Sequence, residues 1–192
     1  GWEHPLWFAD APGTEDTNGF ARQNWFEPVS REAAMLRDAV GVIDISNFGK
    51  YEVTGPGAGD WLDALVANHV PREIGKSCLT PLIGMRGGVA GDFTVTMTGD
   101  ESYMMIGSGM AERYHRRFFG MVPLPDGTGF EVATPRIAGF NVAGPRSREM
   151  LAGLTDADLS NEGWRFMRSR RIAVGGVDCL ATVSYTHLRA HE

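Results

Sequence analysis

Apolar residues along this chain change their spacing several times, and each change marks an element. Phe93, Val95 and Met97 alternate with Thr94, Thr96 and Thr98, the period-two pattern of a half-buried strand. Ala58, Trp61, Leu62, Leu65 and Val66 instead recur at helical spacing, one apolar stripe on a helix that opens after Gly55-Pro56-Gly57. Ser30 as N-cap predicts a helix over 31–40, with Met35, Leu36, Ala39 and Val40 as its stripe and Gly41 as its stop. Strands are expected at 42–46, 50–53, 78–83, 103–106, 130–132 and 137–142, with Asp100 at a hairpin turn. Further helices are expected at 110–119, around Met150 to Leu154, and briefly at 162–167. Gly175-Gly176 between two short apolar runs is a two-residue hairpin signal.

An internal echo organises these elements. Val53-Thr54-Gly55-Pro56 and Val142-Ala143-Gly144-Pro145 share the pattern V-x-G-P, each ending a strand and opening a helix, with hairpin strands after both. Gly-Pro is also a common turn on its own. The similar flanks favour a duplicated α+β unit with mainly antiparallel sheets and flanking helices.

Residues 1–26 carry Trp2, Trp7, Phe8, Phe20, Trp25 and Phe26 broken by prolines and glycines, an irregular arm expected to pack on another domain. The chain begins at Gly1, which suits a piece of a longer protein. With 192 residues, 43% hydrophobic and 22% charged, the composition is that of a globular domain. A net charge of -6 without a basic stripe argues against a nucleic-acid partner, and no apolar run has the length of a membrane span. The N-terminus has no signal-peptide pattern. Cys78 and Cys179 lie far apart in apolar contexts and are expected to be two buried thiols. Arg113, Arg116 and Arg117 form a basic helix face, either simply solvated or able to meet an acidic ligand tail.

The candidate chemistry centres on 85–96, where Gly87, Gly88 and Gly91 lead to one carboxylate, Asp92, at the entry to the Phe93 strand. The segment has no phosphate-loop pattern and opens a strand rather than a helix. Two readings remain on residue types alone: a general base in a glycine-lined recess, or a turn aspartate, which composition favours. At the far end His187, His191 and Glu192 have a spacing that could hold a metal on a helix. The last residues also resemble, residue for residue, translated read-through of a sequencing-library transposon adapter, so 187–192 is read as foreign and no metal site is expected.

Taken together, several segments resemble the folate-binding domain of the glycine-cleavage T-protein (aminomethyltransferase) superfamily, and in particular the C-terminal half of dimethylglycine and sarcosine dehydrogenases. The segments are Asn24-Trp25-Phe26-Glu27, the run from Gly41 to Lys50, Val53 to Ala58, Arg86-Gly87-Gly88 through Asp92, Val142 to Arg148, and Asp156 to Asn161. The resemblance implies an arm over 1–26 following an absent flavin domain, and a folate-binding domain over 27–186 truncated before its C-terminal β-barrel. It implies that the flavin (FAD) domain, a partner in cis, oxidises an N-methylamine to an iminium. Tetrahydrofolate then takes the one-carbon unit as 5,10-methylenetetrahydrofolate. Asp92 matches the family carboxylate that assists proton transfer at the pterin. An ordinary aspartate pKa of about 3.9 is low for a base, and partial burial would raise it. Tyr103, Ile106 and Gly107 match the strand lining the pterin pocket, and Tyr185 matches an aromatic of a Ser-Tyr-Thr motif. An asparagine frequent near Gly107 is missing, Gly84 replaces another, and His187-Leu188 stands where Gly-Glu is usual. The implied location is bacterial cytoplasm, or the mitochondrial matrix in a eukaryote. A stand-alone aminomethyltransferase, a non-catalytic folate-binding scaffold and a docking domain that only shields the flavin site stay open beside it.

Overall fold

A computed structural model describes residues 5–184, so Tyr185 and the 187–192 tail lie outside the described residues. The chain divides into two compact units, Gly1–Ile43 with Asn141–Gly153, and Asp44–Phe140 with Leu154–Glu192. The first holds the arm, helix α1 (Phe26–Asp38), most of the paired strands β1 (Gly41–Asp44) and β7 (Phe140–Ala143), and helix α4 (Ser147–Ala152). Helix α1 starts before the expected N-cap Ser30, with Trp25 at its N-cap position. Pro28 sits in its first turn, where a missing N–H leaves no intrahelical bond unmade.

The second unit is built on an antiparallel sheet ordered β3-β4-β5-β2-β6, namely β3 (Ser77–Ile83), β4 (Val89–Gly99), β5 (Ser102–Gly107), β2 (Gly49–Thr54) and β6 (Gly129–Val132). Helices α2 (Ala58–Leu65) and α3 (Glu112–Phe119) supply Trp61, Leu62 and Phe119 to a core with Tyr51, Val53 and Phe93 from the sheet. Strands β8 (Ser169–Val174) and β9 (Val177–Thr182) form a separate hairpin. Gly175 and Gly176 there both have positive φ, 58° and 80°, as a primed two-residue turn demands. The fold is thus α+β with mainly antiparallel sheets, and no closed barrel occurs among the described residues.

The V-x-G-P echo is structural. Gly55 (φ 106°) and Gly144 (φ 117°) both adopt the left-handed region, and each carbonyl accepts the N–H three residues on, Ala58 or Ser147, at 3.1 Å. A Cβ on Gly55 would lie 2.3 Å from the Gly127 carbonyl oxygen, and one on Gly144 would lie 2.4 Å from that of Ala39. Each loop therefore packs flush against a backbone carbonyl just ahead of the neighbouring strand, β6 or β1.

Three expectations shift. The strand expected over 137–142 begins only at Phe140, because Pro135 initiates a 3-10 turn over Thr134–Arg136. The helix expected over 162–167 does not form; Met167 has φ 54°, and its carbonyl accepts the Ser77 N–H at 2.9 Å. Cys78 and Cys179 are free thiols but only half-buried. Burial raises the Cys78 pKa.

Gly55→Ala should lower stability by about 1–3 kcal/mol, since it combines a strained φ with a backbone clash. Gly19→Ala, with nothing within 4 Å of its Cβ position, should change it by less than about 0.5 kcal/mol. Urea midpoints of both variants check this.

Candidate functional site

The two faces of the five-stranded sheet have different fates. One face carries Tyr51, Val53, Phe93, Val95, Tyr103 and Met105 into the core. Half of the other face is closed by hydroxyls. Ser77 Oγ lies 2.7 Å from both Thr96 Oγ1 and Ser169 Oγ, and Ser169 Oγ lies 2.6 Å from Thr182 Oγ1, linking β3 and β4 to β8 and β9. The remaining half is open. There Asp92 is exposed, Leu79 is 56% exposed, and Thr94 and Ile106 are half-buried.

Register sets the neighbours. Thr94 pairs with Ile106, and Ile106 with Lys50, so these three form one row across β4, β5 and β2. The β4–β5 pairing ends at Thr94–Ile106 and the β2–β5 pairing at Gly49–Gly107, and just beyond them the Gly107 Cβ position lies 3.1 Å from the Asp92 carbonyl oxygen. Asp92 itself pairs with Pro81 inside the β3–β4 ladder. It is therefore not a turn residue: the turn is Gly84 to Gly88, closed by the Gly84 N–H to the Gly88 carbonyl at 2.8 Å.

Beneath this row three glycines admit rings. A Cβ on Gly49 would lie 2.7 Å from Tyr51 Oη, one on Gly91 2.6 Å from His115 Nε2, and one on Gly107 2.6 Å from the Phe93 ring. Phe93 and His115 meet edge-on at 4.7 Å between centroids. His115 Nδ1 and Tyr51 Oη are 3.2 Å apart and share one hydrogen bond. Nε2 is buried with no hydrogen-bond partner among the described residues. Burial lowers the His115 pKa, against a weaker opposing pull from Asp92 and Glu112. Burial likewise pushes the Tyr51 phenol well above its ordinary range.

The sequence-predicted site residues separate accordingly. Ile106 shares the open face with Asp92, and Gly107 backs it, its Cβ position being 3.1 Å from the Asp92 carbonyl oxygen. Tyr103 points to the opposite face and is buried in the core, where burial raises its pKa. Tyr185 lies outside the described residues. Asp92 is exposed among the described residues. Arg113, Arg116 and Arg117 are exposed as a helix face. No group of His, Cys, Asp and Glu that could hold a metal occurs among the described residues.

Two residues were not singled out by pattern. Phe48, 40% exposed, immediately precedes Gly49, which pairs with Gly107 behind Asp92. Lys50 falls on the polar side of its strand's alternation, yet it is 2% exposed. Its ammonium is taken up by carbonyls of the preceding turn, which alternation along the strand does not show.

The lowered His115 pKa has a stability consequence. Below its ordinary value of 6.5, the unfolded chain takes up a proton that the folded chain resists, so stability falls as pH drops from 6.5 toward the folded value. Above that window this group contributes no pH dependence. The urea midpoint should fall between about pH 7 and pH 5, and His115→Gln should flatten that slope.

The family model described as the GCVT N-terminal domain matches residues 1–192. The chain is 32% identical over 191 residues to mitochondrial dimethylglycine dehydrogenase of Mus musculus, covering 97% of this chain and 22% of that protein. It is 27% identical over 176 residues to 4-methylaminobutanoate oxidase (formaldehyde-forming) of Paenarthrobacter nicotinovorans, covering 91% of this chain and 21% of that protein. The chain thus spans about a fifth of the length of these relatives. Among solved structures, the glycine cleavage system aminomethyltransferase T from Bartonella henselae shares the fold, with a TM-score of 0.62, 20% identity, and coverage of 82% of this chain and 43% of that one.

Proposed function

Because this chain belongs to the GCVT N-terminal domain family, we propose that it is the tetrahydrofolate-binding part of a longer FAD-dependent N-methylamine dehydrogenase of the dimethylglycine or sarcosine type. In this reading the domain receives the one-carbon unit of the iminium product and passes it to tetrahydrofolate, giving 5,10-methylenetetrahydrofolate. The observation that carries it is the placement of Asp92: a carboxylate on the open half of a sheet face, set among uncharged Thr94, Ile106 and Leu79. Flat half-buried apolar surface beside a single acceptor suits a planar heterocycle that carries N–H donors.

Tetrahydrofolate supplies the two nitrogens between which the one-carbon unit is held. The work of this chain is proton management. A folate nitrogen that attacks the iminium carbon becomes cationic and must lose its proton; the Asp92 carboxylate accepts it and stabilises the positive charge as it forms. The same proton can return to the departing amine, which leaves neutral; the second nitrogen, closing on the carbon in its place, would then give its own proton to the freed carboxylate. The glycine-backed strand holds the carboxylate at a set height above the sheet. FAD is assigned to the longer protein's other domain, its partner in cis, and a soluble mitochondrial or bacterial cytoplasmic location belongs to the same proposal.

A second reading is favoured by one observation: the Paenarthrobacter relative is named as formaldehyde-forming. On that reading the one-carbon unit leaves by hydrolysis and the domain need not take folate. The partition of product separates the two. In the full-length protein, added tetrahydrofolate should divert the one-carbon unit from formaldehyde to the methylene-folate product. Asp92→Asn should keep folate affinity and slow transfer by about 10²–10⁴-fold, with formaldehyde rising in compensation. Unchanged transfer in that variant, or a product ratio insensitive to folate, would overturn the folate reading.

A further inference from the structure

Lys50 is a buried ammonium that, among the described residues, hydrogen-bonds main-chain carbonyls. Its Nζ donates to the carbonyls of Ser46 and Phe48 at 3.0 Å each, and of Ile45 at 3.4 Å. Among the described residues no carboxylate is hydrogen-bonded to it, and Asp44 acts on it through space. A methionine would fill similar volume without removing a charge from water. What methionine lacks is three donors on one nitrogen, able to draw several carbonyls to one point. The turn that these donors gather is fastened elsewhere too. Asp44 accepts the Ser46 N–H at 2.7 Å, and the Phe48 N–H reaches the Ile45 carbonyl at 3.0 Å.

This turn abuts the candidate site. A Cβ on Gly109 would lie 1.5 Å from the Asn47 carbonyl oxygen, so the chain just past Ser108 is pressed against the turn. Gly49 pairs with Gly107, whose Cβ position is 3.1 Å from the Asp92 carbonyl oxygen. Strand spacing of about 4.8 Å puts the turn's exit roughly two strands, about 10 Å, from Asp92.

We propose that Lys50 is a positioning residue for the folate site: by tying together the carbonyls of Ile45, Ser46 and Phe48 it holds the 45–49 turn against Gly109 and Gly107, the glycine that backs Asp92. The inference rests on the folate reading above. Lys50 touches no reacting group; it acts through the turn. Loosening the turn weakens ground-state binding of the flat ligand and leaves proton transfer at Asp92 intact once the ligand is bound.

The test uses the full-length protein with tetrahydrofolate as probe. Lys50→Met should raise the Kd for tetrahydrofolate about tenfold or more. Its kcat at saturating folate should stay within about twofold, a split that general destabilisation does not produce. Gly109→Ala displaces the same turn without removing a charge and should shift Kd in the same direction. In the wild type, amide hydrogen exchange over 45–49 should slow on folate binding, a readout independent of whether either variant folds. Wild-type affinity in both folded variants, or unchanged exchange at 45–49 in a folate-bound wild type, overturns the role of Lys50 alone. A wild type that binds no folate overturns the parent reading, and this inference with it.

Discussion

Close packing of rings against a glycine-lined sheet end is the constraint on which the rest of the second unit depends. Tyr51, Phe93 and His115 press against the backbone because Gly49, Gly107 and Gly91 present no side chain to that face. Phe119 adds an edge-on contact to Tyr51 at 5.1 Å, and Phe130 stacks on Tyr51 at 5.9 Å. Aromatic pairs of this kind add about 0.5–1.5 kcal/mol each beyond their buried area. A Cβ at any of the three glycines would force the rings or the strands apart. The consequence is carried to the other face. Past a register shift at Ala90, strand β4 pairs regularly with β3 from Gly91, and Asp92 projects from it opposite the rings.

The other face shows two ways of satisfying buried polar groups. At one end, a chain of hydroxyls from Thr96 through Ser77 and Ser169 to Thr182 passes hydrogen bonds between strands, so each buried oxygen has a partner. At the other, a single ammonium gathers three carbonyls of one turn. Between them lies the stretch where Asp92, Thr94 and Ile106 meet solvent. The open surface is bounded by polar groups already committed to the protein, and Asp92 brings a carboxylate to it.

Duplication explains why the fold repeats without repeating the site. Gly55 and Gly144 do the same backbone work, each turning in the left-handed region against a carbonyl oxygen. After Gly55 the chain builds a core helix and a long hairpin with an eleven-residue second strand. After Gly144 it makes a six-residue helix without a buried residue and the six-residue strands β8 and β9. The carboxylate and the aromatic cluster beneath it belong to the first copy alone.

Much of this was legible in the residues. Alternation at Phe93 to Thr98, the stripe from Ala58 to Val66, the Gly175-Gly176 turn and the V-x-G-P echo are short-range patterns, and local sterics decide them. The family resemblance pointed to Asp92 where composition alone favoured a turn. Boundaries were less legible: α1 begins before Ser30 because a first-turn proline is harmless, and 162–167 is not helical because the Met167 carbonyl is taken by β3. What tertiary structure alone decided is which side chains share a surface. Tyr103 and Ile106 lie three residues apart in one strand, and parity already sends them to opposite faces, but only the assembled sheet shows that the Tyr103 face is the core. Lys50 looked solvent-facing by pattern and is buried because its own turn folds over it. Sequence determines which positions alternate; which face is covered, and by what, depends on contacts between residues distant in the chain.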